Sequence, residues 1–147
     1  KLQFIGNIAP KIISSMKKYS FSDNVVFLSY VHKKDLATIY AHSNVLLLIG
    51  IPGTPGVLPG KLFEYAATNK RIMNISEKGN ECELVLNDLN AGLSSDFDDS
   101  ERIAENIELL WKEFQTDSKQ KVVGLENYSR KNLTKDLSKI LSTLSKN

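Results

Sequence analysis

In its 147 residues the chain carries 19 lysines and arginines against 17 aspartates and glutamates, a formal net charge of +2, with 41% hydrophobic and 8% aromatic residues. Near-balanced charge argues against a nucleic-acid partner, because duplex binding rests on a clustered basic stripe, and the length suits a single globular domain with its own core. Cys82, with only His32 and His42 beside it, forms no internal disulfide and no zinc-type ligand set, which points to a reducing compartment.

The sequence opens on KLQFIGN, an apolar strand pattern without an initiator Met or a signal-peptide pattern, so the expectation is a piece of something longer. LQFIG (2–6), VVFLS (25–29), VLLLIG (45–50) and RIMNI (71–75) are short apolar runs bounded by Gly, Asn, Asp or Ser, and read as strands. VLLLI is apolar at every position, as in a strand covered on both faces. GLSS (92–95) is a fifth, weaker strand signal. Helical patterns lie between them: Lys11 to Tyr19, Lys34 to His42 with Leu36, Ile39 and Tyr40 at core spacing, PGKLFEYAAT with a start near Pro59 or Gly60, and ECELVLND (81–88).

The last third reads as helix. Asp98 with Glu101 resembles a capping box, and Ile103, Ile107, Leu110, Trp111 and Phe114 then hold one face, expected to be core. YSRKNLTKDLSKILSTLSKN (128–147) repeats the period with Leu133, Leu137, Ile140, Leu141 and Leu144. Lys131, Lys135 and Lys139 lie opposite, a solvated face with anionic lipid as the alternative partner. No apolar run approaches the roughly 20 residues of a membrane-spanning helix. Alternating strand and helix predict a Rossmann-like three-layer α/β/α domain around a mostly parallel sheet, spanning 1–147.

In such sheets ligands bind where strands end and helices begin. The stretch PGVLPGKLFEYAAT (55–68) stands there, after the most apolar strand. Gly50, Gly53, Gly56 and Gly60 allow close backbone approach. Pro59 suits the first positions of a helix whose free N–H groups and positive dipole end fit a phosphate or diphosphate. Lys61 would add a charge, and Glu64, one turn in, can accept hydrogen bonds from vicinal hydroxyls. The plainer reading pairs Glu64 with Lys61 at i,i+3 on a solvated surface. His32 has no orienting carboxylate evident in sequence, and His42 and Tyr40 read as structural residues of a helix end.

PGKLFEYAATNKRIMNI (59–75), preceded by VVFLSYVHKKDLATIYAHSNVLLL (25–48) and followed by NECELVLNDLNAGLSSDFDDSERIAENI and YSRKNLTKDLSKIL, resembles family 4 (group 1) glycosyltransferases in order and spacing. The resemblance implies the C-terminal, nucleotide-sugar-binding half of a two-domain GT-B enzyme that transfers a sugar with retention to a glycan or lipid-linked acceptor. It implies Glu64 at the donor ribose, Gly60, Lys61 and Leu62 against the diphosphate, Gly53, Thr54 and Gly56 in the donor-sugar loop, and Val31 and His32 beside the nucleobase. The family's first glutamate, eight positions before the ribose glutamate, is replaced by Gly56, which leaves backbone amides of the 50–58 loop to meet the sugar.

The family's first βα unit, with the basic pair that neutralises the leaving diphosphate, has no counterpart ahead of LQFIG. Catalytic residues are therefore expected upstream of this sequence, and the fragment alone is expected to be inactive. The resemblance further implies a nucleotide-sugar substrate, UDP-sugar favoured, with no cofactor or metal. The expected partner is an N-terminal acceptor domain, and the expected location is the cytoplasm, with the inner face of the membrane as a subsidiary contact. The alternatives are a non-catalytic nucleotide-binding or docking module of the same fold, or a nucleotide-sugar epimerase-like domain whose loop motifs are not found.

Overall fold

A computed structural model of the chain describes residues 1–54, 56–116 and 121–144. Pro55 and the end of the last predicted helix, 145–147, lie outside them. The chain divides into two compact units, Lys1–His42 and Ser43–Asn147.

In the first unit, β1 (Leu2–Ile5), α1 (Pro10–Met16), β2 (Val25–Leu28) and α2 (Lys33–His42) follow in order. The two strands pair in parallel with Leu2 opposite Val25 and Ile5 opposite Leu28. Phe4 stacks on Phe27 at 5.5 Å between ring centroids. Pro10 opens α1, where its missing N–H costs no hydrogen bond. No residue of this unit is buried. Leu36, Ile39 and Tyr40, placed at core spacing by the sequence, are only half-buried, and His42 Nδ1 lies 2.7 Å from the Thr38 carbonyl oxygen one turn back.

The second unit holds β3 (Val45–Ile49), α3 (Gly60–Ala66), β4 (Arg71–Ile75), α4 (Glu81–Asp88), β5 (Gly92–Ser95), α5 (Ser100–Gln115) and α6 (Arg130–Leu144). Its sheet is parallel with order β3-β4-β5, Ile72 standing opposite both Leu46 and Gly92. Alternation puts Leu46, Leu48 and Ile72 on one face. Leu48 and Ile72 join Leu62 and Ala66 of α3 and Cys82, Val85 and Leu86 of α4 in the core. The opposite face carries Met73 and Ser95 and receives α5, whose buried Asn106 donates from Nδ2 to Ser95 Oγ at 2.9 Å and to the Ser94 carbonyl at 3.0 Å. Helices therefore cover both faces, and the α/β three-layer expectation holds in this unit. Gly92 is required by close packing: a Cβ there would collide with the Ile72 carbonyl oxygen.

Among the described residues the strands form two parallel sheets, one of two strands and one of three, in keeping with the α/β, mostly parallel fold the alternation predicts. β3, apolar throughout, is an edge strand of its sheet. A correction concerns α5. Its buried residues are Asn106 and Leu110, whereas Trp111 and Phe114, expected in the core, are 56% and 50% exposed. A polar residue that donates to β5 through its amide Nδ2 occupies the inner position, so the helix is turned and only part of its apolar arc meets the sheet. The cap also sits one residue later than Asp98: Asp99 accepts from the Arg102 N–H at 2.9 Å.

After α5 the chain returns to the core. Val122 N–H donates to Asn69 Oδ1 and Val123 N–H to the Leu89 carbonyl, and Tyr128 packs on Phe63 at 5.4 Å while its hydroxyl donates to Asp88 at 2.9 Å. α6 then runs with Leu133, Leu137, Ile140, Leu141 and Leu144 between 53% and 65% exposed. Its apolar stripe is regular but uncovered among the described residues, and Lys131, Lys135 and Lys139 are exposed as the sequence implied.

Candidate functional site

The loop from β3 to α3 leaves the sheet pressed against the end of β4. The Gly50 N–H donates to the Ile75 carbonyl at 2.8 Å, and a Cβ on Gly50 would come within 2.7 Å of Ser76 Cβ. Gly53 and Gly56 then turn through the left-handed region, with φ of 72° and 78°, a conformation open to glycine at little cost. Thr54 Oγ closes the first turn on the Ile51 carbonyl at 2.6 Å.

α3 begins after Pro59, which is extended at φ −68° and ψ 137°. Leu62 is fully buried, and its N–H donates to the Pro59 carbonyl at 3.0 Å. Of the three residues expected at the diphosphate, Leu62 thus anchors the helix in the core, while Gly60 and Lys61 are exposed at its start. Glu64 and Lys61 form an i,i+3 ion pair at 3.2 Å, with side chains 43% and 48% exposed. The Lys61 ammonium also stands 5.9 Å from the centre of the Tyr65 ring.

A second loop, between β4 and α4, joins the first. The Glu77 carboxylate accepts the Gly53 N–H at 2.8 Å, tying the loop between β3 and α3 down. Glu81 Oε1 lies 4.0 Å from where a side chain on Gly56 would begin. The loop is itself held by the Lys78 N–H donating to Asp96 at 2.9 Å, the Gly79 N–H donating to Glu83 at 2.7 Å, and Asn80 capping α4 through the Glu83 N–H at 3.0 Å. The backbone N–H groups of Asp98 and Lys78 hold the Asp96 carboxyl below its ordinary range. Cys82, packed beneath the loop with its Sγ 3.9 Å from the Val57 carbonyl oxygen, has its thiol pushed up by burial and by the neighbouring Glu81, so it stays protonated.

Gly53, Thr54, Gly56, Gly60, Lys61, Leu62 and Glu64 therefore share one continuous segment at the carboxyl end of β3. Val31 and His32, expected at the nucleobase, belong to the first unit; Val31 is half-buried and His32 exposed, its carbonyl accepting the Asp35 N–H at the start of α2. The sequence reading missed Glu77 and Glu81. Their signal was present in SEKGNE, a turn-rich link between strand and helix at the same end of the sheet. Among the described residues no group of three or more His, Cys, Asp or Glu side chains is placed to hold a metal, and no helix is long and apolar enough to cross a membrane.

Comparison with protein-family models, with curated proteins and with solved structures returns no match to the chain. The functional reading rests on the segment itself.

Proposed function

We propose that the chain is the donor-binding part of a retaining glycosyltransferase, taking a nucleotide sugar whose sugar passes to a glycan or lipid-linked acceptor held by another domain. One observation carries the reading: the order of groups backwards along the segment. Glu64 offers a carboxylate for a diol, Gly60 and Lys61 offer a helix start and a cation for a diphosphate, and Gly56 and Gly53 offer backbone without side chains. Ribose, diphosphate and sugar follow in the same order in a nucleotide sugar.

Lys61 links the first two steps. It neutralises Glu64 at 3.2 Å without ligand; a diphosphate would draw its ammonium away and leave Glu64 free to accept from the ribose hydroxyls. In this reading the segment supplies donor binding, and the basic pair that the resemblance implies for the leaving diphosphate belongs to the unit expected ahead of β1. Among the described residues the all-apolar β3 pairs only with β4 within its sheet, which suits its other edge to a further strand.

A binding module without transfer chemistry is the second reading. It is favoured by the Gly53 and Leu62 N–H groups, which are already engaged by Glu77 and Pro59. Titration with UDP, GDP and UDP-glucose under amide NMR separates the two. Donor binding predicts selective shifts from Gly53 to Glu64 for one nucleotide, and about a tenfold or larger loss of affinity in Glu64→Ala with folding intact. Unchanged affinity in Glu64→Ala removes the ribose assignment, and silence at millimolar nucleotide favours the docking module.

A further inference from the structure

We infer that Glu81 reads the hydroxyl groups of the donor sugar, taking the position that glycine at 56 leaves without a side chain; the inference rests on the donor reading above. The segment order sets where the sugar belongs. With ribose at Glu64 and diphosphate at Gly60 and Lys61, the group beyond the diphosphate falls at the Gly53 to Gly56 turns.

Among the described residues of those turns the one side chain is that of Thr54, whose hydroxyl donates to the Ile51 carbonyl, and the Gly53 N–H is already donated to Glu77. A polyhydroxylated ring needs acceptors for its O–H groups, and a carboxylate is the strongest a protein supplies. Glu81 Oε1, 4.0 Å from the Gly56 Cβ position, is the carboxylate at that place. Glu81 is half-buried, and among the described residues its carboxylate makes no hydrogen bond or ion pair, so its acceptor capacity is unspent. Glu77 differs: its carboxylate is committed to the loop backbone and acts as a positioning residue.

The test compares the affinities of UDP and of a panel of UDP-sugars, UDP-glucose, UDP-galactose and UDP-N-acetylglucosamine, for the wild-type chain, Glu81→Gln and Glu64→Ala by calorimetry. The expected result is that Glu81→Gln leaves UDP affinity unchanged and weakens the best UDP-sugar about tenfold, as for loss of a hydrogen bond to a charged acceptor. Glu64→Ala weakens UDP and UDP-sugar alike. Glu81→Asp keeps the charge at the start of α4, withdraws the carboxylate by one methylene, and shows the same selective loss; it serves where Glu81→Gln folds poorly. UDP-sugar affinity unchanged in both Glu81 variants, or no gain of any UDP-sugar over UDP in the wild type, overturns the Glu81 assignment and leaves the donor reading standing. Failure of the wild-type chain to bind UDP, GDP or any of the sugars overturns both.

Discussion

The two units are built from the same kinds of segment and differ in what those segments bury. Lys1–His42 contains two parallel strands and two helices, yet no residue in it is buried. Ser43–Asn147 contains every buried hydrophobic residue of the described chain, from Leu46 to Leu110. Pattern quality does not explain this, since LQFI and VVFL are as strand-like as RIMNI. Coverage does. A two-stranded sheet is marginal in water until a further layer covers it, whereas β4, between two strands and under helices on both faces, has Ile72, Met73 and Asn74 all buried. A strand pattern states what a segment can become; flanking strands and helices decide how much stability it contributes.

Separating the units gives the largest expected effect. Ser43–Asn147 expressed alone should unfold in one cooperative thermal transition, and Lys1–His42 alone should give a disordered circular dichroism spectrum, since about 40 residues without a buried core cannot offset their conformational entropy. A cooperative melt from the short piece would sink the comparison. Single side chains sharpen it. Leu62→Ala removes a fully buried leucine and should cost about 2 to 5 kcal/mol in urea unfolding. Phe27→Ala breaks the stack on Phe4 at 5.5 Å and should cost about 0.5 to 1.5 kcal/mol. Equal losses would mean that the first unit carries a core contribution its exposure does not reveal.

Much of the fold was legible because its signals are local. Apolar runs bounded by Gly, Asn, Asp or Ser placed four of the described strands and the weaker GLSS signal the fifth, and Pro59 with Gly60 placed the start of α3. The same locality explains the misses. In α5 the period marks an arc that includes Leu110, Trp111 and Phe114, but which part of it faces the sheet depends on Asn106 meeting Ser94 and Ser95. No periodicity rule puts an asparagine at an inner position. Adjacent Asp98 and Asp99 can each cap, and only the entry angle of the chain selects Asp99. At the candidate site, Glu64, Lys61 and the glycines were readable because they lie on one segment. Glu77 reaches Gly53 across 24 residues, through the register of β3 on β4, which the sequence does not spell out.

The smallest expected effect lies in the loop that carries Glu77 and Glu81, and it tests whether that loop is held as part of the second unit. Asp96 accepts the backbone N–H of Asp98 and of Lys78, and these bonds lower its folded-state pKa below the ordinary 3.8. A carboxyl depressed on folding contributes stability that is present above the unfolded value and lost as pH falls through the folded one. Acidification below about pH 4 should therefore loosen the loop, and Asp96→Asn should remove that part of the acid dependence while leaving the neutral-pH melt of the second unit nearly unchanged. Amide exchange at Lys78, read against an amide of β4 such as Met73, checks it. Faster exchange at Lys78 in Asp96→Asn at pH 6, with Met73 unmoved, is the expected result. Parallel acceleration at both would make the loop inseparable from the core, and no change at either would mean that Asp96 does not hold it.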